Sequence, residues 1–253
     1  MVMISVVCVF NNLEVLNNYL LPSLKRQTAE FELILIDNRS GKYPSIALAL
    51  NEGGNQAKGD YVMFIHQDVS LMSSDWLANA EKIVETLERF AIAGVAGKKN
   101  EKGVISNITH GSPPISAGKI QLQKPEIVQT LDECLVIIPR SLFSELPFDA
   151  EACDNWHLYA VDYCLSVQKA GLNAYVIPIR VYHASSHKPK RKTEILLSGD
   201  PLYPGYFSTL RKLVKKHGQT VNIIYTTCGD WNTKTPLAFQ KGILCIKYLL
   251  TVL

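Results

Sequence analysis

Residues 61–68 read Tyr61-Val62-Met63-Phe64-Ile65-His66-Gln67-Asp68. An unbroken apolar run, aromatic and β-branched in part, stops at three polar side chains. A run of this length without alternation predicts a strand buried on both faces, as in a parallel sheet covered by helices. The polar triplet then falls at the carboxyl end of the strand, the edge at which open α/β sheets bind their ligands.

The same pattern recurs on either side. Met3 to Phe10 (MISVVCVF) is a second apolar run. It ends at Asn11-Asn12, either of which can cap a helix, and Leu13, Leu16, Leu20 and Leu24 follow at helical spacing. Phe31 to Ile36 (FELILI) predicts a strand ending at Asp37-Asn38-Arg39-Ser40-Gly41, and Ile46 to Lys58 a helix broken by Gly53-Gly54. Beyond Asp68 the pattern predicts a helix over Asp75–Phe90 and a strand over Ile92–Ala96. Residues 97–125, rich in Gly, Ser, Pro and Lys, predict mostly loop. Cys134–Ile138 reads as a strand, Trp156–Ala170 as a helix stopped by Gly171, and Ala174–Tyr182 as a last strand leading to His183. Leu202–His217 reads as a helix. The predicted class is α/β: a doubly wound, mostly parallel sheet flanked by helices, with a small C-terminal helical extension. Residues 1–187 are expected to form the main domain, and residues 188–253 a basic loop (His187 to Lys192, HKPKRK) and the helical extension.

Composition narrows the class further. The 253 residues are 47% hydrophobic and 19% charged, a globular balance. A net charge of +3 is too small to point to nucleic acid, and no nucleic-acid partner is expected. The six cysteines form no Cys-x-x-Cys pair. Cys8, Cys134 and Cys164 lie in apolar runs, where a free thiol acts as a small hydrophobe. The chain opens into a strand rather than into the basic start and apolar stretch of a signal peptide. A reducing, cytoplasmic compartment is expected. There the sequons Asn38-Arg39-Ser40 and Asn107-Ile108-Thr109 have no meaning as modification sites. The apolar tail from Leu237 to Leu253 is interrupted by Gln240, Lys241 and Lys247, short of the ~18 uninterrupted residues of a membrane span. It predicts a packing helix; the alternative is a helix lying on a partner or peripherally at the inner face of the membrane.

Three polar groups can carry chemistry: Asp37-Asn38, His66-Gln67-Asp68, and the segment from Trp156 to His183. A carboxylate beside a histidine at a strand end can hold a divalent cation, and a cation there neutralises a leaving diphosphate. An acid across the cleft can take a proton from an attacking hydroxyl. Each has a plainer reading. Asp37 and Asp68 suit turns or caps, His66 a satisfied structural histidine, and Asp162 an ion pair. Trp156 and Tyr159 suit either core packing or stacking on a sugar. Lys188–Lys192 suits a solvated loop or a basic flap over phosphates.

Several segments in order resemble the inverting family 2 glycosyltransferases of the GT-A fold. Ile4–Asn12 resembles the family's first strand and turn, Leu33–Ser40 its second strand and nucleotide-binding acid, and Ala57–Ile65 the lead-in to its metal motif. Phe64-Ile65-His66-Gln67-Asp68-Val69 is similar to a subgroup typified by a streptomycin-biosynthesis protein. So are Leu131-Asp132-Glu133, Phe148-Asp149, Asn155–Asp162 and Val181-Tyr182-His183-Ala184-Ser185. The resemblance covers roughly residues 3 to 187.

It implies transfer of a sugar, with inversion, from a nucleotide diphosphate sugar such as a UDP-sugar. The acceptor would be a hydroxyl on a glycan, a lipid-linked molecule or a small molecule, in surface polysaccharide or glycoconjugate synthesis. Asp37 and Asn38 would contact the nucleotide with Phe10 and Asn11 beside them, and His66, Gln67 and Asp68 would face the diphosphate. Asp68 and His183 would hold Mn²⁺ or Mg²⁺. This chain departs from the family twice. His66 replaces the first acid of the Asp-x-Asp motif and costs the metal a hard oxygen ligand. Counting back from Gly171, the family's base falls on Ala160. Asp162 lies two residues on, about 200° around a helix, so it serves as base only if the segment is shifted or irregular there. His157 is the other candidate. The rival readings are a nucleotide-sugar-binding or scaffolding subunit that has lost transfer, and a dinucleotide oxidoreductase. The second lacks the Gly-x-Gly-x-x-Gly that its first strand requires.

Overall fold

The computed structural model describes residues 3–118, 120–184, 192–198 and 200–251. The basic run from His187 to Arg191 lies outside them.

The first half alternates strand and helix: β1 (Ile4–Phe10), α1 (Leu13–Asn18), α2 (Leu20–Lys25), β2 (Phe31–Asp37), α3 (Ile46–Gln56), β3 (Tyr61–Ile65), β4 (Val69–Leu71), α4 (Trp76–Val84) and β5 (Phe90–Gly94). Short strands follow: β6 (Ala96–Lys98), β7 (Val104–Ser106), β8 (Ile108–His110), β9 (Ile115–Ser116), β10 (Glu126–Val128) and β11 (Thr130–Leu131). Next come β12 (Leu135–Pro139), α5 (Arg140–Glu145), α6 (Tyr159–Lys169), β13 (Asn173–Val176) and β14 (Val181–His183). The chain continues through α7 (Lys192–Ser198), α8 (Tyr206–His217), the hairpin β15 (Ile223–Thr226) and β16 (Gly229–Asn232), and α9 (Leu237–Thr251).

The seven-stranded central sheet has the order β10-β13-β5-β12-β3-β1-β2. β2, β1, β3, β5 and β13 share one direction, while β12 and β10 run against it. Both faces are covered at β1 and β3, as the unbroken apolar runs predict, whereas the edge strand β2 leaves Leu33 and Leu35 exposed. Along β3, Val62 and Phe64 point into one core with α3 and α6 residues such as Leu50 and Leu165. Met63 and Ile65 point into the other with Leu16, Leu20, Trp76 and Leu77. Cys8, Cys134 and Cys164 are buried free thiols.

Three expectations are corrected. Residues 97–125, read as mostly loop, contribute β7, β8 and β9 and part of β6. These strands are only two or three residues long, too short for periodicity to reveal. The single strand expected over Ala174–Tyr182 is two. Pro178 lacks the N–H that pairing needs, and the chain leaves the central sheet there. It re-enters as β14 in a four-stranded sheet, β4-β14-β8-β9. The Gly53-Gly54 pair does not break α3, because both glycines are packing sites. A Cβ on Gly53 would lie 2.4 Å from Val7 Cγ1, and one on Gly54 2.2 Å from Phe143 Cε1.

At the C-terminal end, Tyr206, Phe207, Leu210, Ile224 and Trp231 belong to the same core as Phe64. The tail forms the helix the sequence predicts. Leu237 and Leu244 pack on that core, and Phe239, Ile243, Ile246 and Leu250 form an exposed stripe. No helix among the described residues is long and apolar enough to cross a membrane.

Replacing Gly54 by Ala tests the helix–sheet contact. Alanine is the better helix former by about 1 kcal/mol, but its methyl group must displace the buried Phe143 ring. Urea unfolding is expected to show a net loss of about 1–3 kcal/mol.

Candidate active site

A cavity of about 410 Å³ opens at the carboxyl edge of β3. It draws its walls from the turn after β3, the residues before β12, the start of α6, the end of β14, and the β15–β16 turn. Because β12 runs against β3, its beginning meets the end of β3, and the His66 N–H donates to the Cys134 carbonyl at 2.9 Å. Asp132 and Glu133 therefore line the cavity together with His66 and Asp68.

The β4–β14 pairing brings His183 to Asp68. Val69 is the register partner of His183, and the Ala184 N–H donates to the Asp68 carbonyl at 2.9 Å. His183 Nε2 then lies 3.2 Å from Asp68 Oδ1. The His66 ring sits 5.8 Å from that of His183, and one ligand atom from each of the three residues lies within 4.8 Å of the others. His183 Nε2 is buried and, despite its closeness to Asp68, makes no aligned hydrogen bond among the described residues. Two imidazole nitrogens and a carboxylate oxygen, one nitrogen without a donor or acceptor of its own, fit a divalent transition-metal ion.

Electrostatics divides the three. Burial, reinforced by the charge of His183, pushes the pKa of His66 down. Burial works against both Asp68 and His183, but their mutual attraction wins, lowering the pKa of Asp68 and raising that of His183. At neutral pH His66 is a neutral donor and Asp68 an anion, the forms in which each binds a cation.

The residues expected on the nucleotide side adjoin this corner along the rim. Phe10 and Asp37 are register partners on β1 and β2. Asp37 is exposed and gripped by Arg39, whose Nη2 lies 2.6 Å from Oδ2 and whose guanidinium lies 5.7 Å from the centre of the Phe10 ring. Hydrogen bonds from Arg39 hold the Asp37 carboxyl below the usual range. Asn38 is turned inward: its Oδ1 accepts the Tyr43 N–H at 2.8 Å and its own N–H donates to the Phe10 carbonyl. Gln67 is a clamp. Its Oε1 accepts the N–H groups of Asn11 and Asn12 at 3.2 and 3.0 Å, and its Nε2 donates to Asn11 Oδ1 at 2.7 Å. Asp37 and Gln67 lie outside the cavity lining.

On the opposite wall, Leu158 has φ +71°, a left-handed conformation costly for a branched side chain. It turns the chain into α6. The N–H groups of Leu158, Tyr159 and Ala160 draw on the Glu133 carboxyl, yet burial and the neighbouring Asp132 charge outweigh them and push Glu133 up to about 8. His157 lines the cavity, stacked 5.0 Å from the Tyr203 ring. Burial, then the charge of His66, pushes its pKa down to about 4.

Asp162 is the main correction to the sequence-derived site. It is 2% exposed and faces α8, where Lys216 Nζ and His217 Nε2 each lie 2.7 Å from its carboxylate. Of this segment His157, Leu158 and Val161 line the cavity, and Asp162 does not. Tyr159 is also a core residue: it is 2% exposed and its hydroxyl donates to the Glu133 carbonyl at 2.7 Å. Trp156 is 40% exposed but does not line the cavity. The sequence reading gave no role to Asp132, Glu133, His110, Tyr203 or Thr227, all of which do. Two adjacent carboxylates directly before a strand were the available signal for the first two.

The pattern defining the Glycosyltransferase like family matches residues 5–193. A curated protein from Fuscovulum blasticum, described as ATP synthase subunits region ORF 6, is 29% identical over 184 residues, covering 64% of this chain and 73% of its own length. Among solved structures, the mannosyltransferase PcManGT from Pyrobaculum calidifontis, in complex with GDP-Man and Mn²⁺, superposes with a TM-score of 0.56 at 13% identity, over 98% of this chain and 70% of that one. S. aureus TarS 1–349 in complex with UDP-GlcNAc gives 0.57 at 12% identity, over 98% and 72%. At such identities the structural likeness is one of fold.

Asp162→Ala tests the framework role. It leaves His217 and Lys216 without their shared anion, and chemical denaturation is expected to show a loss of about 3 kcal/mol.

Proposed function

The chain belongs to the Glycosyltransferase like family and has the GT-A fold, and from that premise we propose that it moves a sugar, with inversion, from a nucleotide diphosphate sugar to an acceptor hydroxyl. The observation that carries this reading is the His66–Asp68–His183 corner, its ligand atoms within 4.8 Å of one another at the mouth of the cavity. A divalent ion held there supplies positive charge to the leaving diphosphate. The chain's own residues do the rest. Phe10, Asp37 and Arg39 offer a ring, an anion and a guanidinium on the rim beyond Asn11, a surface suited to a base and ribose. The Gln67 clamp holds that surface and the cation corner in fixed relation. The cavity takes the sugar and excludes water around it, and His157, neutral at physiological pH, offers a hydrogen bond to the sugar or acceptor.

UDP- and GDP-sugars are the donors to try first, since the structural relatives carry them with Mn²⁺ in the GDP-Man case. The proposed acceptor is a glycan, a lipid-linked intermediate or a small molecule, in polysaccharide or glycoconjugate assembly. The motif around His66-Gln67-Asp68 supports kinship with the streptomycin-biosynthesis subgroup. The proposed site of action is the cytoplasm, and the exposed stripe of α9 supports peripheral contact with the inner membrane face.

Melting curves with UDP, GDP, UDP-GlcNAc and GDP-mannose, with and without Mn²⁺, test the reading, because a ligand of the native state raises its melting temperature. A Mn²⁺-dependent rise with at least one nucleotide and release of nucleotide from its sugar donor are expected. Asp68→Asn is expected to remove the Mn²⁺-dependent part of the rise, a loss of at least about tenfold in affinity, with little change in the unliganded melting temperature. Binding without turnover across donors and acceptors would identify a binding subunit instead, and an undiminished Mn²⁺ effect in the variant would overturn the metal assignment.

A further inference from the structure

Transfer to a hydroxyl needs a group that takes its proton, and neither Asp162 nor a residue of the cation corner is free to do so. We propose that Glu133 is this group: its carboxylate, on the wall formed by the start of β12 and α6, accepts the proton of the attacking hydroxyl. The assignment rests on the reading of the cavity as a sugar-transfer site.

Glu133 stands apart from the cavity's other basic side chains. His66, Asp68 and His183 form the cation corner. The oxygens of Asp132 are engaged, Oδ1 by the Cys134 N–H and Oδ2 by the Thr227 hydroxyl, each at 3.0 Å. His157, at about 4, is a weak proton acceptor. His110 lies on β8, which pairs with the strand that carries His183. Glu133 combines three properties. It lines the cavity. Its carbonyl is held to α6 by the Tyr159 hydroxyl, and its carboxyl lies toward the N–H groups of the helix's first turn. Its Oε1 is buried and has no hydrogen-bond partner among the described residues, which leaves a lone pair for a substrate proton.

That last feature is costly in a resting protein, since an unpaired buried carboxylate oxygen loses its hydration without return. A substrate hydroxyl is a partner that would satisfy it. A carboxyl near 8 holds an accepted proton far better than an ordinary glutamate, and its accepting carboxylate form fills as the pH rises toward 8. Ala160, where the family resemblance places the base, has no carboxyl, but its backbone N–H is among those drawn to Glu133. An acid from the segment just before β12 thus reaches toward the helix start.

In the step, an acceptor oxygen lone pair forms the new bond to the anomeric carbon. The bond from that carbon to the diphosphate oxygen breaks, and its electron pair leaves with the nucleoside diphosphate. The hydroxyl proton passes to Glu133, which returns it to solvent after product release.

The test is Glu133→Gln, of the same shape and still able to accept the helix N–H groups. Nucleotide release from UDP-GlcNAc and GDP-mannose is followed with Mn²⁺ and simple glycoside acceptors, beside the nucleotide-induced rise in melting temperature. The expected result is a fall in kcat of about a hundredfold or more, with affinity for the Mn²⁺–nucleotide pair changed less than about threefold. Turnover within about threefold of the unaltered protein overturns the assignment, as does a loss confined to nucleotide affinity. Failure of the unaltered protein to bind or release any nucleotide sinks the sugar-transfer reading itself, and the assignment with it. Should the glutamine variant not fold, Glu133→Asp keeps the charge but shortens the arm. It is expected to lose at least about tenfold in kcat, and retained turnover overturns the proposal. If neither variant folds, Glu133 is a framework residue and the assignment falls.

Discussion

A strand that runs against its neighbours delivers its beginning where they deliver their ends. In this sheet β12 lies between β3 and β5 and opposes both. The residues just before it therefore arrive at the edge where parallel strands discharge their polar ends. Asp132 and Glu133 face His66 and Asp68 across the cavity for that reason. A parallel β12 would place them at the far edge, and the site would keep its cation corner but lose its opposite wall. The main-chain bond from His66 to Cys134 joins the two walls.

The first three strands were legible because each is an unbroken run of apolar residues, and no surface helix reads that way; β1 and β3 bury both faces, while β2, at the sheet edge, leaves Leu33 and Leu35 exposed. Their polar ends, Asn11, Asp37 and Asp68, were legible with them. Strand direction was not. An apolar run of five residues looks the same in either sense, and only the partners at β3 and β5 decide it, so Asp132 and Glu133 were seen as residues but given no place. His183 was placed at the right edge although the strand leading to it was misread. Pro178 divides that strand, and the register of β14 with β4 is a tertiary fact. Asp162 shows the opposite case. Helical geometry alone argues that it faces away from position 160, and it does, toward Lys216 and His217. The Gly53-Gly54 pair misled because a low intrinsic helix propensity was weighed without the wall it packs on, where Val7 and Phe143 leave no room for a methyl group.

Within one cavity, identical side-chain types are driven to different protonation states. Burial pushes His66 and His157 down, with His183 adding to the first shift and His66 to the second; His183, beside Asp68, is pushed up. Of the carboxyl groups, Asp68 is drawn down by its imidazole neighbour, while Glu133 rises through burial, with another acid adding to it. Low-polarity walls penalise charge and magnify whichever charge is nearest. Different protonation states then follow from burial and from who sits beside whom, with no need for unusual residue types.

The link between β13 and β14 carries a different implication. Residues 177–180 are held from outside: Asn107 Nδ2 donates to the Ile177 carbonyl and Trp76 Nε1 to the Arg180 carbonyl, each at 2.9 Å. Successive strand residues point to opposite faces, so a slip of one position in this link would turn the His183 imidazole away from Asp68 altogether. Two side chains outside the His66–Asp68–His183 group thus set which way His183 points. Drift in sequence at the indole or the amide would be felt at that group while each of its own residues stayed the same.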